Sequence, residues 1–184
     1  MILLKKLISV TTAVLLFTAS STALSSAVPE RTDIAAQFKW DLTSMYADAE
    51  AWEIDRARFV ELLPVLSAHR GTLGESGLSL LNAIESIQAV EAVIANLYVY
   101  AGLKTYEDTR ISENGARFSE AQGLYARYQE ALSYFTPVLL AIPEATLSEF
   151  IDATPGLQIY AHYLDETARM RSYTLSEAEE KLLA

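Results

Sequence analysis

The chain has 184 residues, 14 lysines and arginines against 24 aspartates and glutamates, and a formal net charge of −10. That balance argues against nucleic acid and anionic membrane surfaces as partners, because both select basic patches. No cysteine is present, so disulfides and thiol chemistry are excluded.

The first 27 residues read as an export signal. Lys5 and Lys6 supply a basic start, Leu7 to Ala19 an apolar run, and Ser20 to Ala27 a stretch of small residues. Small residues at −3 and −1 fit cleavage after Ala27 or after Ala23. The apolar run, about 13 residues, is short of the roughly 20 needed to span a bilayer. No integral membrane span is therefore expected after cleavage, and the mature protein is expected to be periplasmic or secreted. Removing residues 1–27 takes two lysines from the 14 basic side chains, leaving 12 against 24 acids, net −12.

Residues 28–47 read as an extended lead-in. Within it Asp41 can cap a short turn that points Leu42 and Tyr46 inward, with Trp40 as a staple. Asp48 starts a helix whose first turns are acidic, as the helix dipole prefers. Its apolar positions are Trp52, Phe59, Leu62, Leu63 and Leu66. Pro64 should kink it or end it early, and Gly71 marks a stop.

A second helix is expected from about Leu78 to Tyr106. Leu80, Ile84, Ile87, Val90, Ile94, Leu97 and Ala101 recur at spacings of three and four. A third runs from about Ser112 to Phe135, with Phe118, Ala121, Tyr125, Tyr128, Leu132 and Phe135 on its apolar side. The short polar turn Glu107–Arg110 makes the pair an antiparallel hairpin. Pro143-Glu144 and Thr154-Pro155 each open a further helix, because proline suits the first turn. Leu157, Tyr160, Ala161, Leu164 and Ala168 face inward in the second of these, and Arg169 and Arg171 close it. Ser176 and Glu179 form a capping box that signals one more helix start. Nothing alternates with the period of a strand. The expected fold is all-α: an antiparallel helical bundle built on a long hairpin, with additional short helices.

The chain is poor in catalytic parts. It has two histidines, His69 and His162, and no serine in a Gly-x-Ser-x-Gly turn. His162 and Glu166 share a helix face, but one histidine and one acid make an incomplete zinc site. Neither a catalytic residue nor a metal ligand is assigned. Tyrosine is the conspicuous residue, with ten copies. Tyr98, Tyr100, Tyr125 and Tyr128 on the two long helices are candidates to line a peptide groove, because a tyrosine ring packs while its hydroxyl hydrogen-bonds. At three-and-four spacing, tyrosines are first of all core residues.

Three stretches resemble the oligoendopeptidase F family. They are Lys39-Trp-Asp-Leu-Thr-Ser-Met-Tyr46 with Trp52 following, Leu97-Tyr-Val-Tyr-Ala101 with Glu107-Asp-Thr109 after it, and Arg169 to Ala184. Tyr173 departs from the pattern, where a histidine is expected. The resemblance implies a mostly helical zinc metalloendopeptidase that cleaves short peptides. In that family a His-Glu-x-x-His motif and a further glutamate hold zinc, in a catalytic half that follows the N-terminal helices. No such motif occurs here, so none of the family's functional residues carries over. The resemblance implies that residues 48–184 are the N-terminal helical domain, truncated before the catalytic domain that would be its partner, and that the chain is inactive alone as a peptidase. The alternative is a stand-alone exported helical module that binds peptides or another protein.

Overall fold

A computed structural model describes residues 29–173 of the chain, which divides between Lys39 and Trp40 into two units. The signal segment 1–27 and the Ser176–Glu179 capping box lie outside the described residues. In the first unit, two single 3-10 turns, Arg31–Asp33 and Ala36–Phe38, are separated by extended backbone. Glu30 N donates to Asp33 Oδ2 at 3.2 Å. No residue of either turn is buried.

The second unit opens with the turn read from the sequence. The backbone N–H and the hydroxyl of Thr43 both donate to Asp41 Oδ1, at 3.0 and 2.6 Å. These bonds favour the ionised carboxylate and hold its pKa below the usual value. Leu42 and Tyr46 are buried as expected. Trp40 does not act as a staple; it stands 53 % exposed. The anchor is Tyr46, whose ring meets Tyr100 edge-on at 5.2 Å and whose hydroxyl donates to Asp55 Oδ2 at 3.1 Å.

Six α-helices follow among the described residues: α1 (Ala49–Ala68), α2 (Gly77–Glu107), α3 (Ser112–Leu132), α4 (Phe135–Ala141), α5 (Glu144–Ala153) and α6 (Ala161–Arg169). A 3-10 helix, Pro155–Tyr160, leads into α6. No strand occurs among the described residues. Asp48 caps α1 by accepting from Ala51 N at 2.9 Å, and Ser76 caps α2 by accepting from Ser79 N at 3.1 Å. Both satisfy an N–H that has no partner inside the helix.

Pro64 does not end α1, which continues to Ala68. The proline removes one N–H donor late in the helix, and burial of Leu63 and Leu66 on either side of it outweighs that loss. At the far end of the long hairpin, α3 stops at Leu132 rather than Phe135. Ser133 N and Oγ both turn back to the Glu130 carbonyl, at 3.2 and 2.9 Å. Phe135 starts α4 instead, with Pro137 in its first turn, where no N–H is required.

The hairpin itself is closed by Asn114. Its amide donates to the Lys104 carbonyl, and its own carbonyl accepts from Thr105 Oγ1, both at 3.0 Å. Beside it, Arg110 sits on Asp108, with Nη2 2.7 Å from Oδ2.

The core has two clusters. In one, Trp52, Phe59, Leu63 and Leu66 of α1 pack with Val90, Ile94, Leu97 and Tyr100 of α2 and with Ala121, Leu124 and Tyr128 of α3. In the other, Leu80, Ala83 and Ile84 from the start of α2 pack with Tyr134, Phe135, Leu139, Leu147, Leu157 and Leu164. Ile87 touches both. On α3 the buried seam runs through Leu124, where the sequence reading placed Tyr125 inward; Tyr125 is 43 % exposed. Leu124 continues the Ala121 and Tyr128 spacing of three and four as well as Tyr125 does, and the apolar side chain takes the buried place.

Helix α2 is long and apolar enough, by length and composition, to cross a membrane. Here Leu80, Ala83, Ile84, Val90, Ile94 and Leu97 are buried among neighbouring helices, while Glu85, Gln88 and Glu91 are exposed. The end of the described chain is tied back by Arg171. Its Nε and Nη2 donate to the carbonyls of Leu140 and Ile142 at 2.9 and 3.0 Å, a cation at the C-terminal end of α4.

Candidate functional site

A cleft of about 590 Å³ lies between the N-terminal half of α2, the end of α3, the start of α4, and the Tyr160–Tyr163 segment. Its volume falls in the range of small-ligand sites, about 300–1,000 Å³. Ile84, Ile87, Leu132 and Phe135 give it an apolar floor, and Gln88, Glu91, Gln129 and Thr136 give it polar edges. Tyr125, Tyr128, Tyr160 and Tyr163 line it from two sides.

Helix geometry explains how these side chains meet. Residues three apart on a helix lie on neighbouring faces. Gln88 and Glu91 on α2 have that spacing, as do Tyr125 and Tyr128 on α3. Tyr160 and Tyr163 repeat it across the junction into α6. Two hydrogen bonds hold the rim. Tyr160 OH donates to Gln88 Oε1 at 2.8 Å, and Gln129 Nε2 donates to Tyr125 OH at 2.8 Å. The rings of Tyr125 and Tyr128 lie 6.1 Å apart at 40°. Burial pushes the Tyr128 phenol above the usual tyrosine pKa, and the nearby Glu91 carboxylate pushes it in the same direction.

Of the four tyrosines singled out in the sequence, Tyr125 and Tyr128 line the cleft. Tyr98 lies beside them without lining it: its ring packs on Phe118 at 5.3 Å and on Tyr125 at 5.7 Å. Tyr100 is buried in the first core cluster. Two residues along a helix are a rotation of about 200°, so Tyr98 and Tyr100 cannot share one face. The sequence reading missed Tyr163 and treated Tyr160 only as an inward residue. The three-residue spacing of Tyr160 and Tyr163, the same as that of Tyr125 and Tyr128, is the sequence signal that could have found them.

A second, shallower depression of about 370 Å³ lies beside Pro64 and carries Arg70, Arg127 and Glu130. The two histidines are not brought into a site. His69 Nε2 is 3.1 Å from Ser86 Oγ, in a part-buried pair. His162 is exposed on α6, and its expected companion Glu166 lies 3.2 Å from Arg169 Nη1. Among the described residues no group of three or more His, Asp or Glu side chains converges as a metal ion requires. The described donor set therefore does not fit a catalytic zinc.

Comparison with known proteins agrees with this architecture. A family model described as Oligopeptidase F matches residues 139–184. Group B oligopeptidase PepB of Streptococcus agalactiae is 30 % identical over 154 residues, which is 84 % of this chain and 26 % of that protein. Oligopeptidase PepF of Bacillus subtilis is 32 % identical over 157 residues, 85 % of this chain and 23 % of that protein. The chain thus spans about a quarter of the length of the curated relatives it matches. Among solved structures, oligoendopeptidase-F from Enterococcus faecium superposes with a TM-score of 0.68 at 30 % identity, covering 73 % of this chain and 26 % of that one. A putative peptidase from Chlamydophila abortus gives 0.72 at 28 % identity, covering 85 % and 26 %. By sequence and by fold, the chain matches the N-terminal helical domain of oligoendopeptidase F peptidases.

Proposed function

We propose that this chain is the non-catalytic helical module of an exported oligoendopeptidase F-like zinc peptidase acting on short peptides, and that it has no hydrolytic activity alone. The observation that carries this reading is the match itself. Most of this chain aligns with about a quarter of proteins named for oligopeptidase activity. In such an enzyme a zinc held by the catalytic domain would supply an activated water. The role left to the described residues is to bind and orient a peptide. Export rests on the basic start, apolar run and small-residue stretch of residues 1–27. The partner of the module is a catalytic domain that carries the metal site.

One observation favours a second reading, a stand-alone peptide-binding module. The tyrosine-lined cleft lies within one unit of the chain, its lining drawn from residues 84–163. A cooperatively unfolding, monodisperse chain that binds peptides supports that reading over the first.

Hydrolysis of quenched fluorescent peptides by the purified, zinc-supplemented chain tests the main proposal. The expected rate equals that of zinc and buffer. Turnover that disappears on replacing His69 or His162 would overturn it.

A further inference from the structure

We propose that the cleft walled by Tyr125, Tyr128, Tyr160 and Tyr163 is a subsite for an arginine side chain of a short peptide, with Glu91 as its counter-ion. The inference rests on the peptide-binding part of the proposed function and adds the chemistry of the residue recognised.

Charge is the first argument. Among the described residues, Glu91 is the only charged one that lines the cleft, and no described lysine or arginine lines it. Glu91 makes no hydrogen bond or ion pair with another described residue, whereas many other carboxylates of this domain are matched by a neighbouring cation, as Glu53 is by Arg56 and Asp165 by Arg169. A cation entering the cleft gains that carboxylate without displacing an existing partner. An anion meets it as a like charge. The acidic balance of the whole chain, net −10, favours approach of the same class of ligand.

Shape and surface are the second. A guanidinium is planar and weakly hydrated, and it stacks on aromatic faces as an ammonium does less well. Four phenol rings from three elements offer such faces, and two of them are held by the Tyr160–Gln88 and Gln129–Tyr125 hydrogen bonds. Below them Ile84, Ile87 and Leu132 give the methylene stem an apolar floor. An uncharged apolar side chain would use that floor but would gain nothing from the Glu91 carboxylate.

The test titrates the full chain calorimetrically with a capped tripeptide, Ala-Arg-Ala, and with its neutral isostere in which citrulline replaces arginine. The arginine peptide is expected to bind about tenfold more tightly. Glu91→Gln is expected to reduce that preference about fivefold while leaving the citrulline peptide unaffected. Tyr163→Ala, at a position 49 % exposed, should weaken the arginine peptide without changing the fold, checked by circular dichroism. Equal affinity for the two peptides, or an unchanged preference in Glu91→Gln, would overturn the arginine subsite and leave peptide binding standing. Failure of both peptides to bind would overturn the subsite and the peptide-binding reading together.

Discussion

Tyr134 donates its hydroxyl to the main-chain carbonyl of Leu66 at 2.6 Å, across 68 positions of sequence and wholly inside the protein. Leu66 belongs to one core cluster and Tyr134 to the other, so this bond joins the two halves of the interior. The guanidinium of Arg70 lies over the same ring, 5.0 Å from its centre. Tyr134→Phe keeps the ring and removes the hydroxyl. We expect a loss of about 1–2 kcal/mol, the usual worth of a buried hydrogen bond, read as a lower urea midpoint with an unchanged slope. A midpoint equal to that of the parent would mean that the bond adds nothing to the joining of the clusters.

Gly77 opens α2 where it crosses α5. A Cβ there would lie 2.9 Å from the Phe150 carbonyl oxygen and closer still to Thr154 Oγ1. The glycine is required by proximity, since no described glycine has a positive φ. Gly77→Ala should destabilise by about 1–3 kcal/mol through overpacking. Adding Thr154→Ala should recover only part, because the Phe150 carbonyl stays. Full recovery in the double variant, measured by thermal unfolding, would assign the whole clash to the threonine.

Three buried phenols give the stability a defined alkaline limit. Burial raises the pKa values of Tyr46, Tyr128 and Tyr134. The Asp55 hydrogen bond and charge add to the effect at Tyr46, Glu91 adds to it at Tyr128, and Arg70 partly offsets it at Tyr134. In the unfolded chain these groups lose their protons near the ordinary value, about pH 10. Above that pH the native state binds more protons than the unfolded state, so stability falls as pH rises. Below it these groups contribute no pH dependence. Urea midpoints should therefore decline from about pH 10 upward, and less steeply in Tyr46→Phe. A decline of equal slope in that variant would contradict the assignment to Tyr46.

The helices were legible because their signals are local. Asp48 lies at the cap position in the structure as in the sequence reading, and the α2 stripe from Leu80 to Ala101 has a single period. The errors fell where two local signals compete. Tyr125 and Leu124 both continue the α3 spacing, and only packing against α1 and α2 decides that Leu124 goes inside. Pro64 reads as a breaker, yet the burial of its neighbours carries the helix past it. The cleft was half legible. Tyr125 and Tyr128 were accessible from one hairpin, whereas Tyr160 and Tyr163 reach it only after the chain has passed through α4 and α5. Their sequence distance from Gln88 hides a contact that the Tyr160–Gln88 hydrogen bond makes plain.

On the proposed function, this domain holds no catalytic metal of its own. Equilibrium dialysis of the purified chain against zinc, with bound metal counted per chain, tests it directly. No stoichiometric zinc is expected at micromolar free metal. One equivalent of tightly held zinc, lost on replacing His69 or His162, would contradict it.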